Sequence, residues 1–288
     1  MSERRAAILF LLPMTLFLAL FIIVPVIGTM VDSLMRDVVY LPLQFAGLDN
    51  YRMLFDDPGF RQSLVFTVLF TLVSVPLELA LGLAIALVLN EAMPGRGLLR
   101  AAVLIPWAIP AAVSARVFEL IYNYSYGAAN AILGWLGLID SPVNWLGTEL
   151  GAFCALVVAD AWKTTPFIAI ILLAGLSAIP GDLYAQARID RAGLFRRFWS
   201  ITLPLLRPVI IVALLFRTIE ALRIFDPIYI LTGGGPGGST TSLSLFGYEA
   251  FTSGDFGYGS AASVILFLVA LALAIACVRL GRFGGAIS

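Results

Sequence analysis

Nine charged residues stand inside stretches that are otherwise apolar: Glu78, Arg116, Glu119, Asp160, Lys163, Arg217, Glu220, Arg223 and Asp226. A charge in an apolar, membrane-like segment is costly, so each is either paired or functional. Arg116/Glu119, Asp160/Lys163 and Arg217/Glu220 are opposite charges three residues apart, which makes them neighbours on a helix. Such pairs can serve packing alone. The same residues also form faces. Asp160, Lys163, Thr164 and Phe167 recur at helical spacing, as do Arg217, Glu220, Ala221 and Ile224. Each face sets donors and acceptors side by side, and the first adds an aromatic ring. Arg223 and Asp226 rotate progressively off the second face, because three residues fall short of a full turn.

Catalytic chemistry is poorly supplied. The chain has no His, which removes the usual general base and metal ligand. Lys163, the only Lys, follows Trp162 and does not close a phosphate-binding loop, which needs Gly-Lys-Ser/Thr. The run Gly233-Gly234-Gly235-Pro236-Gly237-Gly238 lacks that Lys and reads as a flexible external turn. Cys154 and Cys277 sit in apolar runs and read as packing residues. No metal site, cofactor or enzymatic activity is expected of this chain.

The elements that carry these residues are membrane helices. Of the 288 residues, 60% are hydrophobic and 12% charged, net charge is zero and mean hydropathy is +0.98. Soluble domains carry about 25% charged residues. Stretches of about 20 apolar residues suffice to cross a bilayer. Such stretches fall near 6–27, 63–89, 99–122, 150–178, 205–231 and 259–280. The first is longer than a signal-peptide core and lacks a small-residue cleavage site, so it is expected to be a retained span. The third contains Pro106 and Pro110, where a break is expected. Placing the N-terminus in the cytoplasm puts Arg4, Arg5, Arg96, Arg100, Arg188, Arg191, Arg196, Arg197, Arg207, Arg279 and Arg282 inside. Only Arg36, Arg52 and Arg61 then lie outside, a strong positive-inside bias that places both termini in the cytoplasm. The external segment 28–62, with Asp32, Asp37, Asp49, Asp56 and Asp57, is too short for a binding domain and reads as a solvated face. One transmembrane domain is expected over 1–288, its core near 60–281.

The segment 181–204 carries the most specific pattern. A short helix is predicted after Pro180, with Asp182 near its N-cap. An amphipathic helix with Leu194, Phe195, Phe198, Trp199 and Ile201 on one side follows, and Pro204 is expected to turn the chain into the next span. The run Leu183-Tyr184-Ala185-Gln186-Ala187-Arg188-Ile189-Asp190-Arg191-Ala192-Gly193, continued by Phe198, Ile201, Leu203 and Pro204, resembles the EAA loop of ABC importer permeases: L-Y-E-A-A-x-x-D-G-A, then F-x-x-I-x-L-P. Ala185 stands where the motif has Glu, and Arg191 where it has Gly. Phe45-Ala46-Gly47-Leu48-Asp49-Asn50-Tyr51 and Leu231-Thr232-Gly233-Gly234-Gly235-Pro236 are similar to elements of sugar permeases. Trp162 to Phe167, Leu215 to Thr218 and Arg223 to Asp226 are similar to trehalose-type subunits.

The resemblance implies an all-α integral membrane protein of about six spans, with the type I ABC importer permease fold. It implies a bacterial cytoplasmic membrane, a homologous second permease in a heterodimer, two ATPase subunits that hold ATP and Mg, and an external sugar-binding protein. It implies that Leu183 to Gly193 dock into the ATPase. It also implies that Asp160, Lys163, Thr164, Phe167, Arg217, Glu220 and Ala221 line the sugar path, with Phe167 stacking on the ligand. A transporter driven by an ion gradient, with Glu78 and Asp160 as ion sites, and a membrane enzyme or assembly protein are the alternatives from other classes.

Overall fold

The computed structural model describes residues 3–282, and their side chains over 8–279. The expected charges Arg4, Arg5 and Arg282 therefore lie outside the described side chains. Among the described residues, five helical segments are long and apolar enough to cross a membrane: Ile8–Asp32, Pro58–Asn90, Glu149–Ser177, Leu194–Leu222 and Phe256–Arg279. A pair, Arg96–Ala108 and Ala111–Ile121, qualifies only together and is bent by 88°. The break follows from Pro110. A residue before proline is driven out of the helical region, and Ile109 is extended at φ −71°, ψ 133°.

Chain contacts divide the molecule into two compact units. The first comprises the described residues up to Arg61 together with Leu243–Leu268. It opens with α1 (Glu3–Leu18), a π-helical turn (Ala19–Ile23) and α2 (Val24–Asp32). No side chain in the apolar window of Ile8–Asp32 is buried, so this rod offers its surface to lipid or to another chain. A two-residue hairpin follows, β1 (Met35–Arg36) paired antiparallel with β2 (Gln44–Phe45), and then α3 (Asp49–Asp56). Asn50, 6% exposed, ties this corner by donating from Nδ2 to the carbonyls of Ser33 (2.9 Å) and Met35 (2.8 Å). Asp57 is more than a solvated carboxylate: its Oδ2 accepts from the Tyr258 hydroxyl at 2.7 Å. The same unit holds α13 (Leu243–Thr252) and the first part of α14 (Phe256–Arg282).

The second unit, Gln62–Ser242 with the described residues from Val269 onward, carries the candidate site. Its long helices are α4 (Pro58–Asn90), the broken pair α5 (Arg96–Ala108) and α6 (Ala111–Ile121), and α8 (Glu149–Ser177). The short α7 (Ala128–Trp135) precedes α8, and Trp145 donates its indole N–H to Asn130 Oδ1 at 3.0 Å. Ala86, Leu89, Ile168, Leu172, Leu173, Leu176, Leu206 and Ala213 form the core. Close approach is built on glycine, as in membrane helices generally. A Cβ on Gly82 would stand 2.7 Å from Ile168 Cγ2, and one on Gly175 would stand 2.7 Å from Leu206 Cδ1.

The fifth predicted span needs a correction at both ends. Instead of turning at Pro204, the chain runs as one helical rod from Leu194 to Leu222: α10 (Leu194–Arg197), a π-helical turn (Phe198–Thr202) and α11 (Leu203–Leu222). Proline lacks an N–H and its ring collides with the carbonyl four residues back. The wider turn relieves this, with the Leu203 N–H reaching back to Phe198 O. The same device stands before Pro25, where the Val24 N–H reaches Ala19 O. Beyond Leu222 the helix stops, and 226–231 form the separate α12 (Asp226–Leu231).

The glycine run is also firmer than a flexible turn. Gly233, Gly234, Gly237 and Gly238 have positive φ, and Gly235-Pro236 is cis. Thr240, fully buried, cross-ties the loop: its N–H donates to Gly234 O (3.0 Å) and its Oγ1 to Gly235 O (2.7 Å).

Candidate functional site

The buried centre of the second unit is ionic. Arg217 on α11 is 2% exposed, Glu78 on α4 is 0% and Asp160 on α8 is 6%. The Arg217 guanidinium forks onto Glu78, through Nε to Oε2 and through Nη2 to Oε1, the latter at 2.9 Å. Its Nη2 also donates to Asp160 Oδ2. A planar fork matched to a carboxylate is the geometry that makes a buried Arg pair tenable. Three helices are thereby pinned at one point. Two carboxylates share one cation, so the cluster holds a surplus negative charge when all three are ionised. Asp160 and Arg217, expected to face a solute, are instead bonded to each other, and Ala221 is fully buried.

Lys163 stands one turn along α8 from Asp160 and does something the spacing did not suggest. Its Nζ donates to the carbonyls of Ile109 (2.6 Å) and Trp107 (3.3 Å). These are carbonyls freed at the C-terminal end of α5 by the break at Pro110. A cation at a helix C-terminus satisfies those oxygens and opposes the negative end of the dipole. One turn further along, Phe167 stacks on Trp107, with ring centroids 5.4 Å apart and planes 12° from parallel. The α8 face Asp160-Lys163-Phe167 therefore grips α11 at one end and the tip of α5 at the other. Phe167 is half-buried against Trp107, and Trp107 is the more open ring at 47% exposure. Sequence reasoning missed Trp107 as a site residue. Its position between Pro106 and Pro110, where a break was expected, was the available signal.

Of the remaining predicted residues, Thr164 spends its hydroxyl on Asp160 O at 2.7 Å. Glu220 is exposed, with Oε2 4.0 Å from Arg217 Nη1. Asp226 is also exposed, and both carboxylates lie within electrostatic reach of Lys163. The Arg116–Glu119 pair forms as spaced, at 2.5 Å, and is largely exposed.

The 181–204 segment opens with α9 (Gly181–Ile189), whose N-cap position is Pro180 and whose first turn holds Asp182, near the N-cap as expected. Asp190 follows as the C-cap. Ala192 N–H bonds Ala187 O (2.9 Å) and Arg191 N–H bonds Arg188 O (3.1 Å). This double closure is the Schellman arrangement, whose C′ residue is left-handed and usually Gly. Arg191 occupies it with φ +54°, so the bend survives the loss of the motif Gly, at some backbone strain. Ala187 is buried, while Ala185, Gln186, Arg188 and Gly193 are exposed. Leu183, Ile189, Leu194, Phe195 and Trp199 are also exposed, at 38%, 82%, 79%, 78% and 54%. The Tyr184 hydroxyl bonds Thr202 Oγ1 at 2.9 Å, joining α9 to the π-helical turn of the next rod.

Residues 58–282 match the model of the binding-protein-dependent transport system inner membrane component family. The chain belongs to that family. Among curated relatives, this permease is 55% identical over 282 residues to the trehalose/maltose transport system permease protein of Thermococcus litoralis, covering 98% of this chain and 95% of that one. It is 40% identical to the sulfoquinovosyl glycerol transport system permease protein of Agrobacterium fabrum, over 98% and 92% of the two chains. The trehalose transport system permease protein of Mycobacterium tuberculosis is 38% identical, over 99% and 91%. In fold, the permease superposes on a chain of a bacterial ABC transporter that imports the acidic polysaccharide alginate, with a TM-score of 0.84, 24% identity, and 97% and 96% coverage. The type I importer fold and a location in the inner membrane follow from family and architecture together.

Proposed function

We propose that this permease takes up a di- or oligosaccharide of the trehalose/maltose kind, and that it does so in a complex. A homologous second permease completes the heterodimer. Two ATPase subunits bind and hydrolyse ATP with Mg, an external binding protein delivers the sugar, and this chain catalyses no reaction itself. Both termini lie in the cytoplasm, as the arginine distribution favours.

The observation that carries the coupling half is the 181–204 segment. It joins the EAA-type pattern to a run of large apolar side chains left open: Leu183, Ile189, Leu194, Phe195 and Trp199. Exposed apolar side chains clustered beside a docking motif suit a protein partner. The hydrogen bond from Tyr184 to Thr202 gives such a partner a direct grip on the α10–α11 rod. Displacement of α9 is thereby passed to Arg217, which α11 carries. ATP must favour one of two permease states for this to do work.

The transport half rests on a face drawn from α5, α8, α11 and the start of α12. Trp107, Lys163, Thr164, Phe167, Glu220 and Asp226 border the path, with Glu78, Asp160 and Arg217 as the rigid support behind them. An exposed indole suits the C–H face of a pyranose, and carboxylates accept its hydroxyls. The 55% identical relative, named for trehalose and maltose, supports the substrate class.

The test is reconstitution of the two permeases with the ATPase and binding protein. Sugar-stimulated ATP hydrolysis is expected, and deleting 183–195 is expected to abolish ATPase association in pull-down. Association that survives the deletion, or uptake that persists without ATP while an ion gradient remains, defeats the proposal.

A further inference from the structure

We infer that the groove between α11 and the C-terminal part of α14 is a binding site for an anionic phospholipid, which lays an acyl chain along the groove and its headgroup phosphate against Arg279.

The groove has a volume of about 350 Å³ and is lined by Leu215 and Ile219 of α11 and by Ala274, Ile275, Val278 and Arg279 of α14. The spacing explains the lining. Leu215 and Ile219 stand one turn apart on a single face, and positions 274, 275, 278 and 279 form the facing stripe on α14. Ala274 contributes only a methyl group, which leaves room between its bulkier neighbours. Leu215, Ile219 and Ala274 are half-buried, while Ile275 and Val278 are each 44% exposed. Five of the six lining side chains are therefore apolar, and both helices belong to segments long and apolar enough to cross a membrane. Hydrocarbon is the medium such side chains meet, and an acyl chain fills the groove by dispersion contacts.

The sixth side chain selects the headgroup. The span Phe256–Arg279 has 24 residues and no charge before its last position. At 1.5 Å per residue it rises about 36 Å, against about 30 Å of hydrocarbon. Arg279 thus stands where the apolar stretch ends, and a long cationic side chain there reaches the headgroup layer. It is exposed, and among the described residues it forms no ion pair. Its own helix offers no carboxylate, and Glu220, the only one on α11, lies 4.0 Å from Arg217 Nη1. The guanidinium fork is left to take two phosphate oxygens. A free phosphate would match Arg279 and leave the groove empty. A zwitterionic lipid would fill the groove but bring a cation of its own to the headgroup. An anionic phospholipid satisfies both parts.

The test uses the complex of both permeases and the ATPases in bilayers of phosphatidylcholine and phosphatidylglycerol. Ile275→Trp sets an indole in the groove, and the signal of the five native tryptophans is subtracted with the unsubstituted complex. Quenching by dibrominated phosphatidylglycerol and by dibrominated phosphatidylcholine gives their relative affinity at that point. Leu271→Trp, one turn back and 45% exposed, repeats the reading without entering the groove. The anionic lipid is expected to be favoured roughly fivefold, the factor that one cation near a membrane surface supplies, and less so at high salt. Adding Arg279→Gln is expected to bring the ratio close to one, whereas Arg36→Ala, which removes an exposed cation elsewhere, is expected to leave it unchanged. Equal affinity for the two lipids overturns the inference, as does a preference that survives Arg279→Gln. Absence of quenching by either lipid at both reporters shows the groove covered by protein and overturns it as well.

Discussion

Removing Arg217 should damage this permease far more than removing its whole ionic cluster. Arg217→Met deletes the one cation between Glu78 and Asp160, which are 0% and 6% exposed. Both carboxylates lose their strongest donor, and only the Thr164 hydroxyl beside Glu78 and the more distant charge of Lys163 partly offset the loss. Breaking a buried ion pair from one side costs about 3–5 kcal/mol, because an uncompensated charge stays behind. Here two stay behind, so the upper part of that range applies unless a carboxyl takes up a proton. The triple variant Glu78→Gln/Asp160→Asn/Arg217→Met leaves neutral amides and an apolar side chain of similar length. It should recover to within about 2 kcal/mol of the wild type, the cost of imperfectly paired amides. Glu78→Gln alone keeps Arg217 balanced by Asp160 and should cost less than Arg217→Met. The assay is equilibrium unfolding of the purified protein in mixed micelles, followed by tryptophan fluorescence and circular dichroism. If Arg217→Met unfolds at the wild-type detergent fraction, or if the triple variant is no better than the single, the cluster is not the pin described above.

Two further perturbations test the packing and the coupling segment separately. Gly82→Ala should force α4 from α8, because the added methyl meets Ile168 Cγ2 at 2.7 Å and the backbone N of Ala169 at 3.2 Å; overpacking of this kind costs about 1–3 kcal/mol, readable in the same unfolding assay, and a neutral outcome refutes the close approach. Arg191→Gly should relieve a left-handed residue worth about 1 kcal/mol, which hydrogen exchange would register as stronger protection of the Ala192 amide; unchanged or weaker protection there refutes the strain at φ +54°.

The spans and the short helix after Pro180 were legible in the sequence because both are written locally. Twenty apolar residues in a row, arginines collected on alternate connections, and a motif within one short stretch can all be read without knowing what lies opposite. The break near Pro106 and Pro110 was legible for the same reason. Element ends were less so. Pro204 read as a turn, yet one π-helical residue shift let the helix run through it, and only the hydrogen-bond pattern around Phe198–Thr202 reveals that choice.

The charged residues divide along the same line, and the division has a physical cause. Where a pair is exposed, as Arg116–Glu119 is, the i,i+3 rule holds, since neighbours on one helix are the only partners within reach. Where the residues are buried, local spacing loses. Arg217 reaches Glu78 across 139 residues and Asp160 across 57, leaving its own neighbour Glu220 at 4.0 Å. Lys163 passes over Asp160 for two carbonyls more than fifty residues away, at the end of a broken helix. Arg217, being buried, has no water to fall back on, so it takes whichever acceptors three packed helices bring closest; Lys163 is only half-buried, and its acceptors are supplied by the freed end of α5. Of the candidates on these two faces, Asp160, Arg217 and Ala221 point into the bundle, while Glu220 stays exposed.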